Sequence, residues 1–174
     1  MKYLVKFFVV TFLLLVCTYA TAEQKIVYMD MKVVLNNSKA GKGAQDYLQK
    51  TFKANQKKFA DLEKELKEGE NDLLAKKTIL TREEYQKKTD DLRKKVIDFR
   101  SQRRASLDKI AVQRTEARKK LLKTVDPLLN NYIEENDILM VINKNNILGG
   151  KVDLDITNII VEKLNEELPS LNLK

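Results

Sequence analysis

The chain has 174 residues, with 33 Lys or Arg against 25 Asp or Glu, no histidine, a single cysteine and two prolines. The absence of His, the dispersed carboxylates and the lack of a phosphate-cradling glycine loop argue against an enzyme, since acid–base, nucleophilic and phosphoryl chemistry each need one of these. Gly41-Lys42-Gly43 has no Walker spacing. A pI near 9.4 would suit a nucleic-acid binder, but the export signal described next argues against specific nucleic-acid binding.

Residues 1–22 read as a signal peptide. Lys2 and Lys6 precede an apolar run from Phe7 to Val16, and Ala20-Thr21-Ala22 is a small-x-small cleavage site. The run is too short to span a bilayer comfortably. Val16 stands before Cys17 where a lipobox needs Gly, Ala or Ser, so cleavage after Ala22 is expected, and the processed chain has no cysteine and no disulfide. The processed chain is therefore expected to be soluble and exported. Losing Lys2 and Lys6 lowers the formal charge from +8 to +6, and most of the excess lies centrally: residues 93–123 carry 12 bases against 3 acids.

Ile26-Val27-Tyr28 predicts a short strand, and Val33-Val34-Leu35 a turn of helix after it. Asn36-Asn37-Ser38, Gly41 and Gly43 break the pattern and offer a start for the next element, so the body is expected over 23–42 and an arm from 43. Leu48, Phe52, Phe59, Leu62, Leu66 and Leu73 then follow a four-three alternation, with Asn55 and Gly69 as polar or small members of the seam. Lys64 and Glu68 beside it read as a solvated flank.

The seam stops at Thr78-Ile79-Leu80, and Thr81-Arg82-Glu83-Glu84 matches a capping box that starts a second helix. Its apolar positions run Tyr85, Leu92, Val96, Phe99, Leu107, Ile110, Ala117, Leu121, Val125 and Leu128, interrupted by Thr89, Arg103 and Arg114. Two such helices joined by a short turn near 78–81 predict an antiparallel hairpin over 43–135. Pro127 removes a backbone donor and predicts a kink where arm meets body. The polar interruptions predict a flexible arm. Phe52, Phe59, Tyr85 and Phe99 read as seam residues, and Asp30 as a turn former.

Beyond Asn136, Ile138-Leu139-Met140-Val141-Ile142 is apolar throughout and predicts a strand buried on both faces. Lys144-Asn145-Asn146 reads as a turn and Ile147-Leu148 as a short return strand ended by Gly149-Gly150. Asp155 or Thr157 is expected to cap a last helix lined by Ile156, Ile160, Leu164 and Leu168 and stopped by Pro169. The body over 23–42 and 136–174 is small for one core without disulfide or metal, and one helix covers one face of a strand. Self-association through the body is therefore expected, with Ile26, Val27, Tyr28, Ile138, Met140 and Ile142 as its candidate residues.

KIVYMDMKVVLNNSKAGK, NDILMVINKNNILGGKVD and DITNIIVEKLN, in this order around a charged hairpin, resemble the Skp or OmpH-like periplasmic chaperones over the whole processed chain. The resemblance implies an α+β fold, a homotrimer with a small β body and three helical arms around a cavity. It implies an ATP-independent holdase that uses no cofactor, keeps unfolded outer-membrane β-barrel proteins from aggregating in the periplasm, and assists their delivery to the outer membrane. Lipopolysaccharide or an anionic membrane surface is a further partner the resemblance admits, without residues that carry over.

Unfolded barrel proteins expose strand edges and alternating apolar residues. Basic arms attract acidic clients at long range, and Lys and Arg stems cover apolar surface while their heads stay wet. Candidate client contacts are Arg93, Lys94, Lys95, Arg100, Arg103, Arg104, Arg114, Arg118, Lys119 and Lys120. A structural coiled-coil spacer of the cell envelope is the competing reading. It calls for an uninterrupted seam, whereas this one has polar breaks and both ends return to one body.

Overall fold

The computed structural model describes residues 25–173, so the export signal expected over 1–22 and Cys17 lie outside the described residues. Strand β1, Lys25–Met29, runs parallel to β2, Ile138–Asn143, with Ile26 opposite Met140 and Tyr28 opposite Ile142. A parallel pair needs a crossover connection; here the whole arm supplies it. Val27 and Met29 alternate inward onto a core of Val34, Leu35, Val125, Ile138, Ile156, Ile160 and Leu164.

Helix α1, Met31–Asn37, starts at Asp30, whose carboxylate accepts from the Val33 amide at 3.0 Å. Asp30 thus caps a helix, in keeping with its reading as a turn former. Helix α2, Lys39–Ala75, begins earlier than the glycines suggest. Ser38 caps it: the buried hydroxyl accepts from the Gly41 amide at 3.1 Å and donates to the Leu35 carbonyl at 3.1 Å. Gly41 and Gly43 lie inside the helix instead of before it. At Gly41 the reason is close approach, because a Cβ there would sit 1.8 Å from the Leu35 carbonyl oxygen. Gly43 faces open space.

A turn over 76–81 leads to α3, Arg82–Glu135, and the predicted capping box is present. The Thr81 hydroxyl accepts from the Glu84 amide at 3.3 Å, and the Glu84 carboxylate accepts from the Thr81 amide at 3.0 Å. At about 1.5 Å per residue α2 is roughly 55 Å long and α3 roughly 80 Å. The helices pack on each other with partners in opposite sequence order: Phe59 meets Phe99 edge-on at 6.0 Å, and Gly69 faces Leu92 nearer the turn. Helix α3 continues through Pro127 without a break.

The seam is shallow. Leu48, Phe59, Leu73, Ile110, Ala117, Leu121 and Val125 are buried, whereas Leu62, Leu66, Tyr85, Leu92, Val96 and Phe99 are only half-buried. Two expected seam members depart from it: Phe52 is 38% and Leu107 48% exposed.

Asp137, at φ 50°, turns the chain from α3 into β2; Asp tolerates this left-handed conformation better than a branched residue would. The expectation that β2 is buried on both faces fails within the chain: Ile138 is buried, but Leu139 and Met140 are more than half exposed. The core lies on one side of the sheet, and one chain brings no second layer. The expected return strand at Ile147-Leu148 is also absent. A 3₁₀ turn, Lys144–Asn146, follows β2 because the Asn143 side chain accepts from the Asn145 amide at 3.0 Å, and the segment then loops outward with Leu148 fully exposed. Helix α4, Thr157–Glu167, buries Ile160 and Leu164 and ends at Leu168, before Pro169. Ile156 occupies its cap position, and Asp155, one residue earlier, accepts from the Thr157 amide at 3.0 Å.

Candidate functional site

All ten basic candidates on α3 are exposed, and the structure divides them. Arg93, Arg100, Arg103 and Arg104 line a long groove of about 1120 Å³ along the distal half of the arm. Its apolar surface comes from Leu66, Leu73, Tyr85, Leu92, Val96 and Phe99, the half-covered seam itself. Ile97, 64% exposed, and Leu107 extend this surface outward. Arg93, Ile97, Arg100, Arg104 and Leu107 recur at spacings of four, three, four and three, which is one helical stripe. Glu63, Lys67 and Glu70 of α2 stand on the groove's other side, so that wall is mixed in charge whereas the α3 wall is wholly basic.

Arg114 and Arg118 line a second groove of about 920 Å³ at the root of the arm, between α1, the start of α2 and α3. Phe52 belongs to this groove, which explains its exposure. Lys95 lines a small cleft near the arm's tip, while Lys94, Lys119 and Lys120 line neither large groove. Ion pairing leaves most of the cluster uncompensated: Arg93 meets Asp90 at 3.3 Å and Arg104 meets Asp108 at 3.9 Å, both on open surface where such pairs add little.

The six body candidates also separate. Val27, Tyr28 and Ile138 are buried within the chain, Ile142 is half-buried, and Ile26 and Met140 lie side by side in the sheet with about half of each side chain exposed. Tyr28 is covered by the loop after β2: its hydroxyl donates to the Lys151 carbonyl at 3.1 Å, and Gly150 lies so close that a Cβ would meet the ring at 2.8 Å.

A polar clasp secures that loop. The Lys144 ammonium donates to Asp155 at 2.7 Å and lies 5.7 Å from the centre of the Tyr28 ring. Asp155 also accepts from the Thr157 amide and hydroxyl, and the Thr157 hydroxyl oxygen accepts from the Asp30 amide at 3.0 Å. Partial burial works to raise the Asp155 pKa, but the Lys144 and Thr157 donors outweigh it and hold the carboxyl below its ordinary value. The same pair raises Lys144, chiefly through its hydrogen bond to Asp155. At the arm's tip, the Thr81 backbone amide, followed by its hydroxyl, lowers the Glu84 pKa.

The sequence reading missed the alternation of arginine with exposed apolar residues, because it treated the apolar positions as one seam. A second stripe, offset to Ile97 and Leu107, was its available signal. The root groove is also lined by Lys32 and Asn36, by Gln45 and Gln49, and by Asn143 and Asn145, three separated segments that carry no local signature.

Among known proteins, the family described as outer membrane protein (OmpH-like) matches residues 25–164, from the first strand through most of the last helix. The chain belongs to the OmpH-like family. This OmpH-like chain is 24% identical over 166 residues to a Skp-like protein of Pseudomonas aeruginosa, covering 95% of this chain and 99% of the relative. Its fold is similar to a crystal structure from Caulobacter crescentus, of a protein named as an OmpH-like outer membrane chaperone. The TM-score is 0.79 with 13% identity, and the match covers 90% of this chain and 93% of the other. The family match embraces body and arm together, as the crossover topology requires. Among the described residues, no helix of this OmpH-like chain is long and apolar enough to cross a membrane.

Proposed function

We propose that this protein is a non-catalytic, ATP-independent periplasmic holdase that binds unfolded outer-membrane β-barrel proteins between helical arms, prevents their aggregation and assists their delivery. The observation that carries this reading is the distal groove, where exposed Ile97 and Leu107 alternate with Arg93, Arg100 and Arg104. Such a surface suits a guest chain that is itself alternately apolar and polar. Apolar contacts provide adhesion, guanidinium groups stay hydrated over their stems, and weak, repeated contacts avoid demanding one client sequence.

Holding a chain away from others requires more than one arm. Ile26, Leu139 and Met140 form an exposed apolar strip on the sheet, and three copies joined there would cover it and bring three flexible, antiparallel hairpins around one cavity. Lipopolysaccharide or an anionic membrane surface would meet the same basic arm. An export signal over residues 1–22, as the sequence is read, would bring the protein into the compartment its clients cross.

The test is aggregation of an unfolded barrel protein with and without the processed chain, over a salt series, alongside sedimentation. Suppression at low salt that weakens toward about 0.5 M, while a trimer persists, is the expected result, because the Debye length falls severalfold and apolar burial does not. A monomer at micromolar concentration, or no suppression at any salt, rejects the reading; the latter outcome is that of an envelope spacer.

A further inference from the structure

The groove at the root of the arm differs from the distal one in a way that specifies a ligand. Its floor is apolar and buried, made by Leu35, Ala44, Leu48, Ala117 and Leu121, with the partly exposed Phe52 ring beside it. Its charged lining is of one sign: Lys32, Arg114 and Arg118, with no Asp or Glu. Arg114 and Arg118 stand one helical turn apart on α3, and neither they nor Lys32 forms an ion pair among the described residues. Side-chain amides complete the lining. Asn36 already accepts from the Gln45 side chain at 3.0 Å, and Asn143 from the Asn145 amide at 3.0 Å, so their oxygens are engaged while their NH₂ groups are left to donate outward.

We infer that this basal groove is a receptor for the carboxyl terminus of a polypeptide whose last residue is apolar or aromatic. Two guanidinium groups one turn apart can receive a carboxylate by charge-assisted hydrogen bonds. The floor takes the terminal side chain, and the outward amides supply donors to the carbonyls of the preceding residues. An acyl chain would use the floor and the arginines but gain nothing from the amides, and an internal acidic residue would bring no apolar group to the floor. A volume of about 920 Å³ is that of a site for a few residues. The inference rests on the client-binding reading and deepens it: the distal groove holds any part of a guest, the basal one its end.

The processed, full-length protein is titrated against a short fluorescein-labelled peptide ending in phenylalanine, once with a free carboxylate and once amidated, by anisotropy. The acid is expected to bind about tenfold more tightly, the order one charge-assisted contact supplies. Arg114→Gln with Arg118→Gln should bring the acid down to the amide's affinity, whereas Lys64→Gln with Lys87→Gln, which removes the same charge from exposed arm positions outside both grooves, should leave the ratio unchanged. Equal binding of acid and amide by the unaltered protein overturns the inference without needing any variant to fold. A ratio abolished by the Lys64 and Lys87 control pair, or dodecanoate displacing the acid peptide while acid and amide bind equally, overturns it as well. If unfolded barrel protein is still kept from aggregating in those cases, only the terminus receptor falls; if it is not, the holdase reading falls too.

Discussion

The body and the arm put their apolar residues to opposite use. In the body, Ile156, Ile160, Leu164, Val27 and Val34 are fully enclosed by elements from both ends of the chain, and the remaining apolar strip lies on the sheet's outer face. Along the arm, the enclosed seam positions of α3 gather toward the root, at Ile110, Ala117, Leu121 and Val125, and those from Tyr85 to Leu107 lie half-open or exposed beside arginines. Enclosure by many elements gives a fixed core, while enclosure by a single partner helix leaves surface over. The lesson is that low local packing is what makes the arm a binding surface.

Ile160→Ala gives the sharpest test on the body side. The side chain is completely buried, so truncation should cost about 2–5 kcal/mol in chemical denaturation. Leu107→Ala on the arm, removing a side chain of similar size, should cost well under half as much. Equal losses would erase the distinction between the two regions.

Next in size is Gly41→Ala. Because its Cβ would run into the Leu35 carbonyl, a backbone atom at the junction of α1 and α2, a loss of about 1–3 kcal/mol is expected. Gly69→Ala, in the same helix but out on the arm, should do the reverse. Its Cβ would meet Leu92 at an ordinary 3.7 Å, and replacing glycine inside a helix adds about 0.5–1 kcal/mol. Thermal melts of both variants, read for opposite shifts, check the pair; a stable Gly41→Ala would show that the junction can yield.

The smallest effect concerns the loop clasp of the body. Asp155 is depressed below its ordinary 3.8, so its contribution to stability is complete above that value and disappears as pH falls through the lower folded value. Lys144 is raised above 10.5, so its contribution is complete below that value and disappears as pH climbs through the higher folded one. Asp155→Asn should therefore flatten part of the stability profile below about pH 4 without altering the arm. An unchanged acid limb would mean that the clasp adds nothing to the body.

Features set by neighbours along the chain were legible from sequence. Thr81 and Glu84 are three residues apart, and a capping box needs nothing else. The heptad spacing located both long helices and the turn between them for the same reason. By contrast, the all-apolar run at Ile138–Ile142 promised cover on both faces, but cover comes from elements far away in sequence, and this chain brings it to one side only. The return strand failed because Asn143 closed a local 3₁₀ turn first. Gly41 resembled a helix breaker because its reason for being glycine, the Leu35 carbonyl, appears only once the helices cross.

Charge, helical periodicity and caps were determined by the sequence itself, since each is a property of residues within a turn or two or of composition. Which arginines share a groove, which apolar residues stay open beside them, and which side of the sheet is left uncovered were decided by tertiary structure alone. Those depend on how deeply one helix sinks against another, and that depth is fixed by the summed shapes of residues more than fifty positions apart, such as Leu48 and Ala117 at the floor of the basal groove.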